Sequence, residues 1–244
     1  MNTMTEDPSP LIGLVLRPVR SQMTFESCVE QLGSAIQLGI LRPGDRLPSE
    51  RDLAARLDVS RATLREAISA LRAAGLVSTR RGRGGGTVVE SRPSPAAPDA
   101  LSRAELEAEL TDVIVLRSVV EPGAAAAGAS RDLSAPEREL LLRSLADVEQ
   151  THEPADYRQA DARLHLAIAT ASGSPTLAAS CGETLIRVHR LLARIPFLQP
   201  NIHHSDEQHR AVVQAILDRD PATASAVMRE HCEATAALLR GLVT

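Results

Sequence analysis

Hydrophobic positions begin to repeat at Phe25. Phe25, Val29, Leu32 and Ile36 recur at spacings of three and four, which predicts a helix with one apolar face. Thr24 suits its N-cap and Gly39 its end. Leu41-Arg-Pro-Gly-Asp-Arg-Leu-Pro48 breaks the period as a turn-rich connector. Ser49 opens a second short helix over 50–57, where Ser49 and Asp52 stand at capping-box spacing, with Asp in the usual Glu place. Leu57-Asp-Val-Ser60 predicts a tight turn. Ser60 caps a third helix over 61–74, with Leu64, Ile68 and Leu71 on one face and Gly75 behind it. Residues 76–79 and 87–90 then read as short β runs around Arg80-Arg-Gly-Arg-Gly-Gly-Gly86, a hairpin with a basic, glycine-rich tip.

Pro, Ala and Ser crowd residues 91–102, so 91–103 reads as a linker that buries little. Beyond it only helical patterns occur. The candidates are 104–129, bent or interrupted at Pro122, then 135–150, 154–171, 176–194, 205–219 and 222–242. Ser134 with Glu137 makes a capping box, and Asp220-Pro221 parts the last two helices. The expected fold is mainly α. A loose arm (1–20) precedes a winged helix-turn-helix (21–90), and the linker leads to an all-α helical bundle (104–244).

Composition narrows the function. Hydrophobic residues make up 43% and charged residues 24%, which is globular, and no apolar run approaches the roughly 20 residues of a membrane span. Glu6 and Asp7 precede only a short apolar stretch, so no secretion signal is expected. Aromatics are 1%, which argues against readers of single strands that stack bases. Cys28, Cys181 and Cys232 are widely spaced and odd in number; neither a disulfide framework nor a Cys-x-x-Cys metal site follows, and a cytoplasmic setting is expected. All 27 basic residues are Arg. Residues 21–92 carry a net charge of +3 within a chain of −4, so the basic third is expected to meet a polyanion.

Two short helices across a tight turn, followed by a hairpin, place the third helix as the one that enters a DNA major groove. Its first turn carries Ser60, Arg61, Ala62 and Arg65. Arg61 and Arg65 share a face at i and i+4, and a guanidinium can bond a guanine edge with two hydrogen bonds. Arg51 can reach the same groove or a phosphate. In the wing, Arg81 and Gly82 sit where backbone amides could approach phosphates or a minor groove.

The second half carries a different chemistry. Asp161 and His165 lie four apart on one predicted helix. His209 lies twelve residues before Pro221 and His231 ten after it, so both stand roughly 15–18 Å from the corner. An antiparallel pair would bring them level. One carboxylate oxygen and three imidazole nitrogens suit Zn, Ni, Mn or a similar divalent cation, with positions left for water or ligand. His152, His189, His203 and His204 have no partner at useful spacing and read as surface residues, and Cys232 as core or bystander.

The segments Leu47-Pro-Ser-Glu-Arg-Asp-Leu-Ala54 and Val59-Ser-Arg-Ala-Thr-Leu-Arg-Glu-Ala67, followed by Leu71, Gly75-Leu-Val77 and the glycine-rich wing, resemble the GntR family of bacterial regulators. The resemblance implies operator contacts by Arg51, Arg61, Arg65 and Gly82. Leu116-Arg117 with Glu121, Asp161-Ala-Arg-Leu-His165, Ala171-Ser-Gly-Ser-Pro175, His209-Arg210, and Asp220-Pro-Ala222 through His231 resemble the FCD ligand-binding domain of the family's FadR branch. It implies a divalent metal on the Asp and three His, and a small organic acid near it, with Arg117 pairing the acid's carboxylate. Arg117 also has the option of an intrahelical pair with Glu121. Val88 replaces a common aromatic and Ser174 a common Asn. The helical half argues against the branches with β-rich or aminotransferase-like effector domains.

The expected protein is a transcription regulator, a repressor rather than an enzyme. It acts as a homodimer on a short inverted repeat in double-stranded DNA and does not engage a membrane. Two alternatives stand beside it. One is a regulator sensing the metal itself or a fatty acyl ligand. The other is a metal-dependent hydrolase, against which the chain lacks His-Glu-x-x-His and an evident general base.

Overall fold

The computed structural model describes residues 24–80, 86–90, 102–151 and 153–242. The chain divides into two compact units, Met1–Ser94 and Pro95–Thr244.

In the first unit, helices α1 (Thr24–Gln37), α2 (Glu50–Leu57) and α3 (Arg61–Ala73) precede strands β1 (Val77–Arg80) and β2 (Gly86–Val89). The strands pair antiparallel, Val77 opposite Val89 and Arg80 opposite Gly86. The connector after α1 lies along β2, through Gly44 N–H to Val89 O and Leu47 N–H to Thr87 O. Leu32, Ile36, Leu53, Leu57, Leu64 and Leu71 are all buried. The short helices hold because their ends are satisfied. Ser49 Oγ accepts from Asp52 N–H at 3.2 Å and Ser60 Oγ from Thr63 N–H at 3.0 Å. Asp58 closes α2 in the left-handed conformation at φ 52, which lets α3 leave at a sharp angle. The wing tip, with Arg81 and Gly82, lies outside the described residues.

The second unit is all helical: α4 (Arg103–Ala129), α5 (Ala135–Glu149), α6 (Pro154–Ala171), α7 (Pro175–Leu192), α8 (Gln199–Leu217) and α9 (Pro221–Leu242). Capping boxes at Ser102–Glu105 and Ser134–Glu137 start α4 and α5. Helix α6 is buried around most of its circumference, so it runs through the middle, against α4, α5 and α7. Its many alanines permit close approach; a Cβ at Gly128 of α4 would stand 3.3 Å from that of Ala171. Leu141, Val148, Leu164, Ile168, Val212, Ile216 and Met228 fill the core.

Three sequence expectations need correction. Pro122 does not interrupt α4. Proline cannot donate to the carbonyl of Ser118. That oxygen instead receives Arg229 Nη1 from α9, at 3.5 Å. Helix α8 starts at Gln199 rather than 205, so the exposed His203 and His204 stand on its first turns. His189 is half-buried rather than a surface residue. His152 lies outside the described residues.

Candidate nucleic-acid interface and metal centre

At the start of α3, Arg61, Ala62 and Arg65 all face solvent, and the two guanidinium side chains are each 61% exposed. Burial of Leu64, Ala67 and Ile68 on the opposite face sets that orientation. Arg51 is 84% exposed on α2, its Nε 3.4 Å from Asp52. Ser60 is exposed, and its hydroxyl serves the cap of α3. Sequence spacing did not reveal Glu50. Its carboxylate accepts Arg65 Nε at 2.7 Å and lies 3.9 Å from Arg61 Nη2, so one acid holds two arginines that flank the same helix turn. No local periodicity links residues fifteen apart across a turn.

In the second unit, Asp161 and His165 from α6, His209 from α8 and His231 from α9 converge. One ligand atom from each lies within 4.8 Å of all the others. The three rings are buried, with centroids 4.7–5.4 Å apart, whereas the Asp161 side chain is 18% exposed. His209 Nε2 stands 3.3 Å and His165 Nε2 3.9 Å from Asp161 Oδ1. Helix α8 antiparallel to α9 across the Pro221 corner brings His209 and His231 level, because the rise per residue is the same on both sides.

Neighbouring residues set the tautomers. His165 Nδ1–H donates to Glu121 Oε2 at 2.5 Å, which leaves Nε2 as the free lone pair. His231 Nδ1 lies 3.3 Å from Gln208 Oε1 and 3.4 Å from Ser205 Oγ, with the same consequence. His165 Nε2 and both ring nitrogens of His209 are buried without a hydrogen-bond partner. Such orphaned groups are costly in a protein interior. A central cation would satisfy the lone pairs, so the donor set fits a divalent metal with N/O preference.

The electrostatics agree. Burial, and then each ring's neighbouring charges, push His209 and His231 well below the ordinary imidazole range, so both are neutral and ready to ligate. Burial pushes the Asp161 carboxyl up, against the pull of His165 and Arg117. Burial also acts to raise Glu121, but Arg117 and His165 outweigh it and hold the carboxyl at about 2.

Arg117 is 5% exposed, and its Nε donates to Glu121 Oε1 at 2.8 Å. The intrahelical pair therefore exists, and Arg117 also lines a cavity of about 60 Å³ beside the cluster. Asp161 and His231 of the cluster line it as well, together with Tyr157, Arg158 and Phe197. The Tyr157 hydroxyl donates to Asp206 at 2.7 Å. Cys232 is buried with its thiol 3.8 Å from Glu121, and burial first raises its pKa, so it is a packing residue. No helix among the described residues is long and apolar enough to cross a membrane.

Residues 24–89 match the family described as bacterial regulatory proteins, gntR family, and residues 112–234 match the FCD domain. Over 235 residues the chain is 31% identical to a protein of Mycobacterium gastri named as an HTH-type transcriptional regulator, RmpR, covering 92% of this chain and 83% of that one. It is 27% identical over 251 residues to the HTH-type transcriptional repressor NanR of Klebsiella aerogenes, covering 98% and 94%. Among solved structures, E. coli McbR/YncC superposes with a TM-score of 0.53 at 19% identity, over 91% of this chain and 100% of that one, which is a likeness of fold.

Proposed function

Because the chain belongs to the GntR family of DNA-binding transcription regulators and carries an FCD ligand-binding domain, we propose that it is a homodimeric repressor whose operator affinity responds to a small carboxylate bound beside a divalent metal. The family and these relatives are regulators, not enzymes. The observation that carries the reading is the convergence of Asp161, His165, His209 and His231 beside a cavity.

Asp161, His165, His209 and His231 would hold the metal, which when bound supplies a Lewis-acidic point for an anion. Glu121, Ser205 and Gln208 orient the rings. Arg117, paired with Glu121, lines the same cavity, and the space of about 60 Å³ beside the cluster suits a compact acid. Arg51, Arg61 and Arg65, with Ser60 and Ala62 close by, would face the operator, joined by Arg81 and Gly82 of the wing. Exposed Val115 and Val119 form an apolar strip on α4 suited to a second copy, and a twofold dimer reads an inverted repeat. A cytoplasmic setting follows from that role. The ligand acts only by as much as it prefers one arrangement of the DNA-binding units over another.

Selection of duplexes from a random library by the zinc-loaded full chain tests this. Enriched sequences with twofold symmetry are expected. Their affinity should fall as salt rises and change when small carboxylates are added. Enriched sequences without symmetry, or affinity blind to both salt and carboxylates, overturn the reading.

A further inference from the structure

Arg117 and Arg158 both line the cavity, but their charges are in different states. Arg117 is answered by Glu121. Arg158 is half-buried on α6 and donates Nη2 to the carbonyl of Ile195 at 2.8 Å. Among the described residues no carboxylate pairs with it. Burial alone lowers its pKa, the mark of a charge without compensation. Its neighbour His189 is no counter-ion, since burial, followed by Arg158 itself, pushes that imidazole down to about 4. A half-buried cation left unanswered in a cavity wall is costly unless an anion arrives from outside.

Arg158 precedes Asp161 by three residues on the same helix, roughly 4.5 Å along the axis. The cavity thus has two points that attract anions. One is the part of the lining that belongs to the cluster, Asp161 and His231, positive once a divalent cation is held there; the other is Arg158. The same lining includes the apolar side chains of Ile195, Phe197 and Leu198. We propose that the cavity takes a small dicarboxylate, with one carboxylate beside Asp161 and His231, the other on the Arg158 guanidinium, and a short carbon chain against the apolar side chains of the lining. A guanidinium fork suits a carboxylate because two parallel N–H bonds match its two oxygens. The proposal rests on the reading that this cavity holds an acid beside the metal, and it assigns Arg158 the choice between one acid group and two.

The test is calorimetric titration of succinate and propionate into the zinc-loaded full chain. The wild type is expected to bind succinate at least roughly tenfold more tightly than propionate, as a charge-assisted contact implies. Arg158→Gln should bring succinate to the affinity of propionate while leaving propionate binding and the zinc content unchanged. Arg158→Lys, which keeps the charge without the fork, should retain part of the preference. Equal weakening of both acids in Arg158→Gln, or no weakening of either, overturns the proposal and leaves the acid-beside-metal reading intact. Failure of the wild type to bind either acid overturns both.

Discussion

Removing one partner of the Arg117–Glu121 pair gives a prediction whose size follows from burial. The side chains are 5% and 3% exposed. Glu121→Gln leaves the guanidinium in the interior without its carboxylate, which costs about 3–5 kcal/mol. A second route gives a similar figure. Holding the carboxyl at about 2 instead of the ordinary 4.5 corresponds to about 3 kcal/mol in favour of the ionised form. At about 2–4 °C per kcal/mol the melting temperature should fall by roughly 6–20 °C. Arg117→Met combined with Glu121→Gln removes both charges. That double variant should lose at least about 2 kcal/mol less than the sum of the two single losses. The pH dependence has a definite sign. A depressed carboxyl contributes stability that is full above its unfolded value near 4.5 and lost as pH falls toward 2. Glu121→Gln should therefore flatten that acid limb. Urea denaturation of the four chelated proteins at pH 7, repeated between pH 5 and 2, reads both effects. Strict additivity of the single losses would falsify the shared-charge account.

Arg65→Ala should weaken operator binding by roughly 1–3 kcal/mol with an unchanged melting curve, because the side chain is 61% exposed; unaltered anisotropy titrations would remove Arg65 from the interface. His209→Ala together with His231→Ala should strip the metal, read by elemental analysis after gel filtration, and full occupancy would sink the ligand set. His189 sits at about 4 against an ordinary 6.5, so its neutral form adds stability that is full above pH 6.5 and lost as pH falls toward 4. His189→Gln should flatten that limb by about 1–3 kcal/mol relative to wild type at fixed zinc, and superimposable pH curves for the two proteins would contradict it.

Much of the architecture is local and therefore readable. The caps at Ser49, Ser60, Ser102 and Ser134 are hydrogen bonds between residues three apart. The outward pose of Arg61 and Arg65 follows from the inward pose of Leu64 and Ile68 on the same helix. Even the meeting of His209 and His231 is arithmetic, since a constant rise on either side of Pro221 places them at the same height.

What lay beyond the sequence depends on partners distant along the chain. Pro122 reads as a break until Arg229, 111 residues beyond Ser118, takes the Ser118 carbonyl that proline leaves free. Glu121 looks like one half of a helical ion pair, yet His165, 44 residues on, makes it the group that fixes a ligand's tautomer. Glu50 meets Arg65 only because a left-handed Asp58 turns one helix against another. Periodicity and capping determine which face of each element is buried, because those forces act within a few residues. Which charges find an opposite across that buried space, and which, like Arg158, are left waiting, is decided only when separate helices pack and exclude the water that would otherwise screen them.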